Sequence, residues 1–169
     1  MEQRLKELDE HLSQMKQRYQ KRGIPLSYYK DSIRDVQFRL DRYEKQHGIK
    51  GLSEWDLFWL KDVFEAKFFD IGVLRFQIFM MDHALIERSD YDYMPLSSKL
   101  KQRFPEGQYY INIHIVQGAD LDPKKVKASL DEARVFFKTY FSDYDFEYFL
   151  CRTWLLDESL ELILSPESK

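Results

Sequence analysis

Along residues 1–50 apolar positions recur at alternating spacings of three and four. Leu5, Leu8, Leu12, Met15 and Tyr19 form one such stripe, and Tyr29, Ile33, Val36, Leu40 and Tyr43 form a second. Each marks one face of a helix. Glu2, Glu7, Asp9 and Glu10 lead the first helix and Lys16, Arg18, Lys21 and Arg22 trail it, an order that complements the helix dipole. Gly23 and Pro25 end it, Ser27 is the expected N-cap of the second helix, and Gly48 closes that one. The short connection makes the two helices antiparallel neighbours, so 1–50 reads as a helical hairpin. Its stripes either satisfy each other or present a face to a protein partner.

Residues 51–169 change character. Ser53 and Asp56 have the spacing of a capping box for a third helix, whose Trp55, Phe58, Trp59, Val63 and Phe64 predict a buried face. After Gly72 the period falls to two, with Leu74, Phe76, Ile78 and Met80 opposite Arg75, Gln77 and Phe79, which predicts a strand over 73–81. A long connection over 84–105 follows, rich in Asp, Ser and Pro. A second strand runs over 109–116, with His114 and Asn112 on one face and the isoleucines on the other. Asp122 as N-cap and Pro123 at the first helical position then open a helix with Val126, Leu130, Ala133, Phe137 and Tyr140 on its apolar side. A third strand over 145–153 and a short helix over 157–164 complete the pattern. Three helices precede a mixed part in the order β-loop-β-α-β-α.

Composition narrows the function. Of 169 residues 16% are aromatic, enough to fill a core and to exclude disorder. The six glycines are too scattered for a GxGxxG or P-loop nucleotide site. A balance of 26 basic against 29 acidic side chains offers no bulk attraction to nucleic acid. No stretch is long and apolar enough to span a bilayer, so no membrane role is expected. A single cysteine, Cys151, forms neither an internal disulfide nor a cysteine zinc site, which fits a reducing, cytoplasmic setting.

Candidate chemistry gathers around the second and third strands. His114 has the ordinary titration range of a general base, or is a core histidine held by hydrogen bonds. Cys151 is a nucleophile if it lies beside His114, and a small inert hydrophobe if it does not. Arg75, Gln77, Asn112, His114 and Glu147 form one polar cluster if their strand faces align. The loop Gln117-Gly118-Ala119, with Lys124 at the next helix start, offers backbone N–H groups to a phosphate, or is ordinary helix capping by Asp122.

The run Ile113-His114-Ile115, the glycine turn, Leu121, Ser129-Leu130, Ala133, Phe136-Phe137, Cys151, Trp154-Leu155-Leu156, Leu160 and Leu164 resembles the GNAT-like C-terminal domain of a bacterial acyltransferase family. Gly48 to Leu52, Trp55 and Phe76-Gln77 add to the resemblance. Against the family's usual residues, Val116 replaces a proline after His114-Ile115, and Arg152-Thr153 replaces His-Ser before Trp154. The resemblance implies an α+β fold with a GNAT-like mixed sheet and flanking helices behind the N-terminal hairpin, divided as 1–50 and 51–169. It implies coenzyme A or acyl-CoA as the acyl donor, with the loop after the strand of His114 facing the pyrophosphate, and an amine or hydroxyl acceptor. It also implies that the chain stops short of the family's full C-terminal sheet. The alternative is a non-catalytic binding or assembly module that docks a protein through its N-terminal helices.

Overall fold

The computed structural model describes residues 2–87, 96–116, 118–146, 148–151 and 153, with side chains from residue 8 onward. Helices α1 (Glu2–Lys21), α2 (Leu26–His47) and α3 (Glu54–Phe64) lead into β1 (Phe68–Ile71) and β2 (Leu74–Met80). Two short helices follow, α4 (His83–Glu87) and α5 (Ser98–Arg103), then β3 (Tyr109–His114), α6 (Pro123–Tyr140) and β4 (Phe149–Cys151). The sheet order is β1-β2-β3-β4, antiparallel except for the last pair. This is the expected α+β class: a mixed sheet with helices on its flanks.

Local chemistry explains most boundaries. Gly48 adopts the left-handed conformation that ends α2. Ser53 and Asp56 form the full capping box of α3, and Asp122 caps α6 with Pro123 in its first turn. Ser27 is not the cap of α2. The helix begins two residues earlier, at Leu26 behind Pro25, whose fixed φ sets the entry and whose side chain makes no capping bond. Further expectations change. The first strand of the sheet, β1, has no alternating signature because Phe68, Phe69 and Ile71 are all buried on one face or the other. The strand expected from 73 becomes the second arm of a hairpin. Trp55 and Phe58 stack on each other on the outside of α3, 67% and 59% exposed, while Leu60 and Val63 take the core positions. Met80 lies in the exposed end of β2. The third strand is shorter than expected, and the helix expected over 157–164 lies outside the described residues.

One core joins the helices to the sheet. Tyr19 of α1, Val36 of α2, Phe69 of β1, Phe76 of β2 and Phe137 of α6 belong to a single buried cluster. Phe69 is its centre, with Tyr19, Phe136, Phe137 and Phe141 all within aromatic contact distance. Met15 and Tyr19 are fully buried and Leu8 and Leu12 pack against the same cluster, so the α1 stripe from Leu8 to Tyr19 spends its apolar surface inside this chain. Helix α2 runs along the β1 edge. Near its start Tyr28 meets Phe136 of α6 on one sheet face, and its middle places Asp35 against Arg75 on the other. Covering that edge removes it as a template for unwanted pairing.

The β1–β2 hairpin turns on two residues, Gly72 and Val73, with glycine at the first position and φ +61. A Cβ at Gly72 would stand 2.2 Å from the Ser129 hydroxyl of α6, which accepts from Val73 N and donates to the Lys125 carbonyl. Gly72→Ala therefore meets both an unfavourable φ and a packed helix, and is expected to cost about 2–4 kcal/mol. Adding Ser129→Ala should recover part of that loss. Urea midpoints of the two single variants and the double variant measure it, and strict additivity would show that the Ser129 contact is not the source.

Candidate functional site

The face of the sheet turned to α2 and α3 carries a continuous polar assembly. Register pairs Arg75 with His114 and Gln77 with Asn112, so four of the five residues expected to cluster do share one face. Glu147 lies outside the described residues. Arg75 holds Asp70 through two bonds, Nε to Oδ1 at 2.6 Å and Nη2 to Oδ2 at 2.9 Å, and reaches Asp35 at 3.2 Å. Asp35 continues to Arg39 at 3.1 Å, and Arg39 and Arg42 both bond Asp56 Oδ1, at 2.9 and 2.6 Å. Burial alone would lower the Arg75 pKa, but the bonds to Asp70 and the charge of Asp35 hold it above the ordinary value. For Asp56, burial pushes the carboxyl up, and Ser53, Arg39 and Arg42 more than offset this, leaving it below the ordinary value.

His114 ends β3 beside this chain. Its ring stands edge-on to Trp59 at 5.0 Å and lies 5.3 Å from the Phe68 ring. Nε2 lies 2.8 Å from Gln77 Oε1 and 3.1 Å from Asn112 Nδ2, and Gln77 Nε2 donates to Asp62 Oδ2 at 2.7 Å. Burial first, and the positive charge of Arg75 second, lower the His114 pKa to about 4. At neutral pH the imidazole is therefore uncharged, which is the form a base must start from. Trp59 Nε1 is a buried donor with no hydrogen-bond partner among the described residues.

Cys151 does not join His114. The β3–β4 register pairs it with Ile113, so its side chain lies on the opposite sheet face from His114. It is exposed, and desolvation raises its thiol pKa, so a thiolate nucleophile is not favoured there.

At the C-terminal end of β3 the chain turns, with Ala119 N donating to the Val116 carbonyl and Gly118 at φ +79. No atom among the described residues lies within 4 Å of where a Gly118 side chain would begin, so the backbone is open to close approach. Gln117 lies outside the described residues. The Asp122 carboxylate accepts from the amides of Lys124 and Lys125, and Lys125 pairs with Asp120. The capping reading of this segment is thus realised, and two of the amides once expected for a phosphate are taken. The Lys124 side chain is exposed. Among the described residues the parallel β3–β4 pairing runs from Ile111 with Phe149 to Ile113 with Cys151, and α6 is the crossover between these strands. Open α/β sheets bind ligands beyond the carboxyl ends of such strands. Among the described residues no group of three or more metal-ligating side chains gathers, and no helix is long and apolar enough to cross a membrane.

Residues 35–169 match the family described as the GNAT-like C-terminal domain. The chain belongs to this family. Among curated proteins none matches. The GNAT-like domain superimposes on solved acyltransferases: one in complex with decanoyl-CoA and teicoplanin, and one in complex with CoA and 10C-teicoplanin, both at TM-score 0.67 and 18% identity. A mutant acyltransferase in complex with octanoyl-CoA gives TM-score 0.66. Each match covers 93% of this chain and 41% of the other, so the chain spans about two fifths of those proteins' length. Likeness at this identity shows a common fold.

Asp62, Asp35 and Trp59 were not legible as site residues. The available signal is weak: Asp62 is an acid three residues after Trp59 and next to the core residue Val63, and an acid turned toward a core needs a partner.

His114 gives this GNAT-like domain a specific pH dependence. Its pKa falls from 6.5 to about 4 on folding, so between those values the unfolded chain binds more protons. The stability this contributes is fully present above pH 6.5 and is lost as pH falls toward 4, up to about 3 kcal/mol. His114→Gln should flatten this part of the stability profile. Denaturant midpoints at stepped pH that run parallel in the two proteins would count against the assignment.

Proposed function

We propose that this domain binds an acyl-CoA beyond the C-terminal end of β3 and transfers the acyl group to an amine or hydroxyl acceptor, with His114 as the base. The carrying observation is the placement of His114 at the C-terminal end of β3, next to an open glycine loop and the α6 crossover. The acyl-CoA and CoA complexes of structurally similar acyltransferases support the donor class, and their teicoplanin complexes support a small-molecule acceptor. The acceptor atom attacks the thioester carbonyl and bonds to the acyl carbon, the carbon–sulfur bond breaks with coenzyme A leaving as the thiolate, and His114 takes the acceptor's proton. Because Asp122 occupies the amides of Lys124 and Lys125, the phosphates of the donor would meet the backbone around Gln117, Gly118 and Ala119 and the ammonium of Lys124. Cys151 has no part in this reading.

Coenzyme A and decanoyl-CoA should each raise the melting temperature of the folded domain. Lys124→Glu should weaken CoA binding on the order of tenfold, or ~1.4 kcal/mol, and Cys151→Ser should leave it unchanged. No stabilisation by millimolar CoA overturns the proposal.

The assembly reading gains little from the geometry, since Met15 and Tyr19 are already buried in this chain's core. Leu8→Asp with Leu12→Asp should therefore unfold α1, seen as lost helicity by circular dichroism. Conversion of a dimer to a folded monomer, read by light scattering, would restore the docking role of the N-terminal helices.

A further inference from the structure

We propose that Gln77, itself held by Asp62, is a positioning residue that fixes His114 as its Nε2–H tautomer, leaving the Nδ1 lone pair as the basic site. This rests on the reading of His114 as the base and names the atom that would do the work.

The assignment follows from donors and acceptors alone. The Asp62 carboxylate only accepts, so the Gln77 group 2.7 Å from Oδ2 is its NH2 and not its oxygen. The amide is planar, and its oxygen therefore faces the other way, toward β3. That oxygen receives Asn112 Nδ2 at 3.3 Å and stands 2.8 Å from His114 Nε2. A carbonyl oxygen has no proton to give, so the short contact requires one on Nε2. Asn112 Nδ2 at 3.1 Å cannot reverse this, because its donation to Nε2 would leave two acceptors facing each other at 2.8 Å. In neutral imidazole a proton on Nε2 means a lone pair on Nδ1. Among the described residues the other charges near this ring are Arg75 on β2, which acts on it directly and is itself bound to Asp70 of β1 and Asp35 of α2, and Arg39, which lies over the neighbouring Trp59 ring. None of these bonds the imidazole nitrogens.

Nitrogen-15 NMR of the imidazole rings tests this without any acyl donor. The chain has four histidines, and His114→Gln identifies the signal. The wild type should show one proton-bearing Nε2 and one bare Nδ1. Gln77→Leu should lose that single-tautomer signature and drift toward the mixture of free imidazole, since Asn112 is then free to donate or to accept. Asp62→Leu should do the same in part by letting the Gln77 amide turn over, which keeps the test alive if Gln77→Leu fails to fold. Gln77→Glu combined with Asp62→Asn, whose amide can donate to the new carboxylate, supplies an acceptor at the same place. It should restore the Nε2–H form and move the titration of His114 upward, a response that lost packing alone would not give. A wild-type signal with the proton on Nδ1, or nitrogen shifts unchanged in both Gln77→Leu and Asp62→Leu, overturns the inference. The base reading fails separately: decanoyl-CoA turnover that survives in His114→Gln removes it while leaving the tautomer assignment standing.

Discussion

The guanidinium of Arg75 lies on a sheet face that α2 and α3 cover, with its side chain 13% exposed, and a charge in that position must be paired. Asp70 on the neighbouring strand supplies one partner and Asp35 on α2 the other. Asp35 then engages Arg39, which shares the buried Asp56 with Arg42, and Asp56 is also the acidic half of the capping box that starts α3. Three arginines and three aspartates thus alternate from the start of α3 to the β1–β2 hairpin. Removing an inner member would leave its buried neighbours with one partner each instead of two, a larger loss than the ~1 kcal/mol of an exposed pair. The positions of α2 and α3 over the sheet are set by this chain as much as by apolar contact.

The two sheet faces consequently do different work. The face toward α6 is apolar and aromatic, with Phe69, Phe76 and Phe137 packed edge to face, and it contributes stability with little directional chemistry. The opposite face is polar and hydrogen-bonded, and it orients side chains. His114 belongs to the second face, yet it ends the strand whose following loop leads into α6 on the first. A ligand seated beyond β3 would meet both at once: open backbone at Gly118 and a held imidazole. These elements lie within residues 109–151, so the proposed donor site is local in sequence, even though the chain spans about two fifths of the solved acyltransferases.

Legibility followed the same division. Helices with one buried stripe and the alternation of β2 and β3 were readable, because in each a single face is apolar and a period results, and the capping box of α3 and the Asp122-Pro123 start of α6 were readable from their residue types. Strand β1 was not, since Phe68 and Phe69 are buried on opposite faces and leave no period to see. Trp55 and Phe58 misled for a related reason: an aromatic residue reports apolar surface but not which side of the helix is covered. The Arg75, Gln77, Asn112 and His114 cluster was readable as a possibility, and only the register turned it into a site. Asp62 and Asp35 act through partners 15 and 40 residues away, and no local pattern carries that information.

The neutral imidazole of His114 bears on its suitability as a base. Burial and Arg75 make it a weak one, so the compensating requirement is that gaining a proton should cost little rearrangement. The Gln77 oxygen meets this requirement. It accepts from Nε2–H in the neutral ring and equally in the imidazolium, so protonation at Nδ1 needs no rotation of His114, Gln77 or Asp62. The bond strengthens as the ring becomes charged, because charge-assisted hydrogen bonds are roughly twice as strong as neutral ones. Asp62, at the far end, places a negative group behind the Gln77 dipole in the sense that favours the imidazolium. The salt-bridge chain beside it is balanced in sign, so the added positive charge meets no net excess of cations there beyond its neighbour Arg75. In the proposed reaction, a ring that is uncharged at rest and needs no movement to receive a proton would leave the barrier to the acceptor and the thioester, and not to reorganisation of the protein.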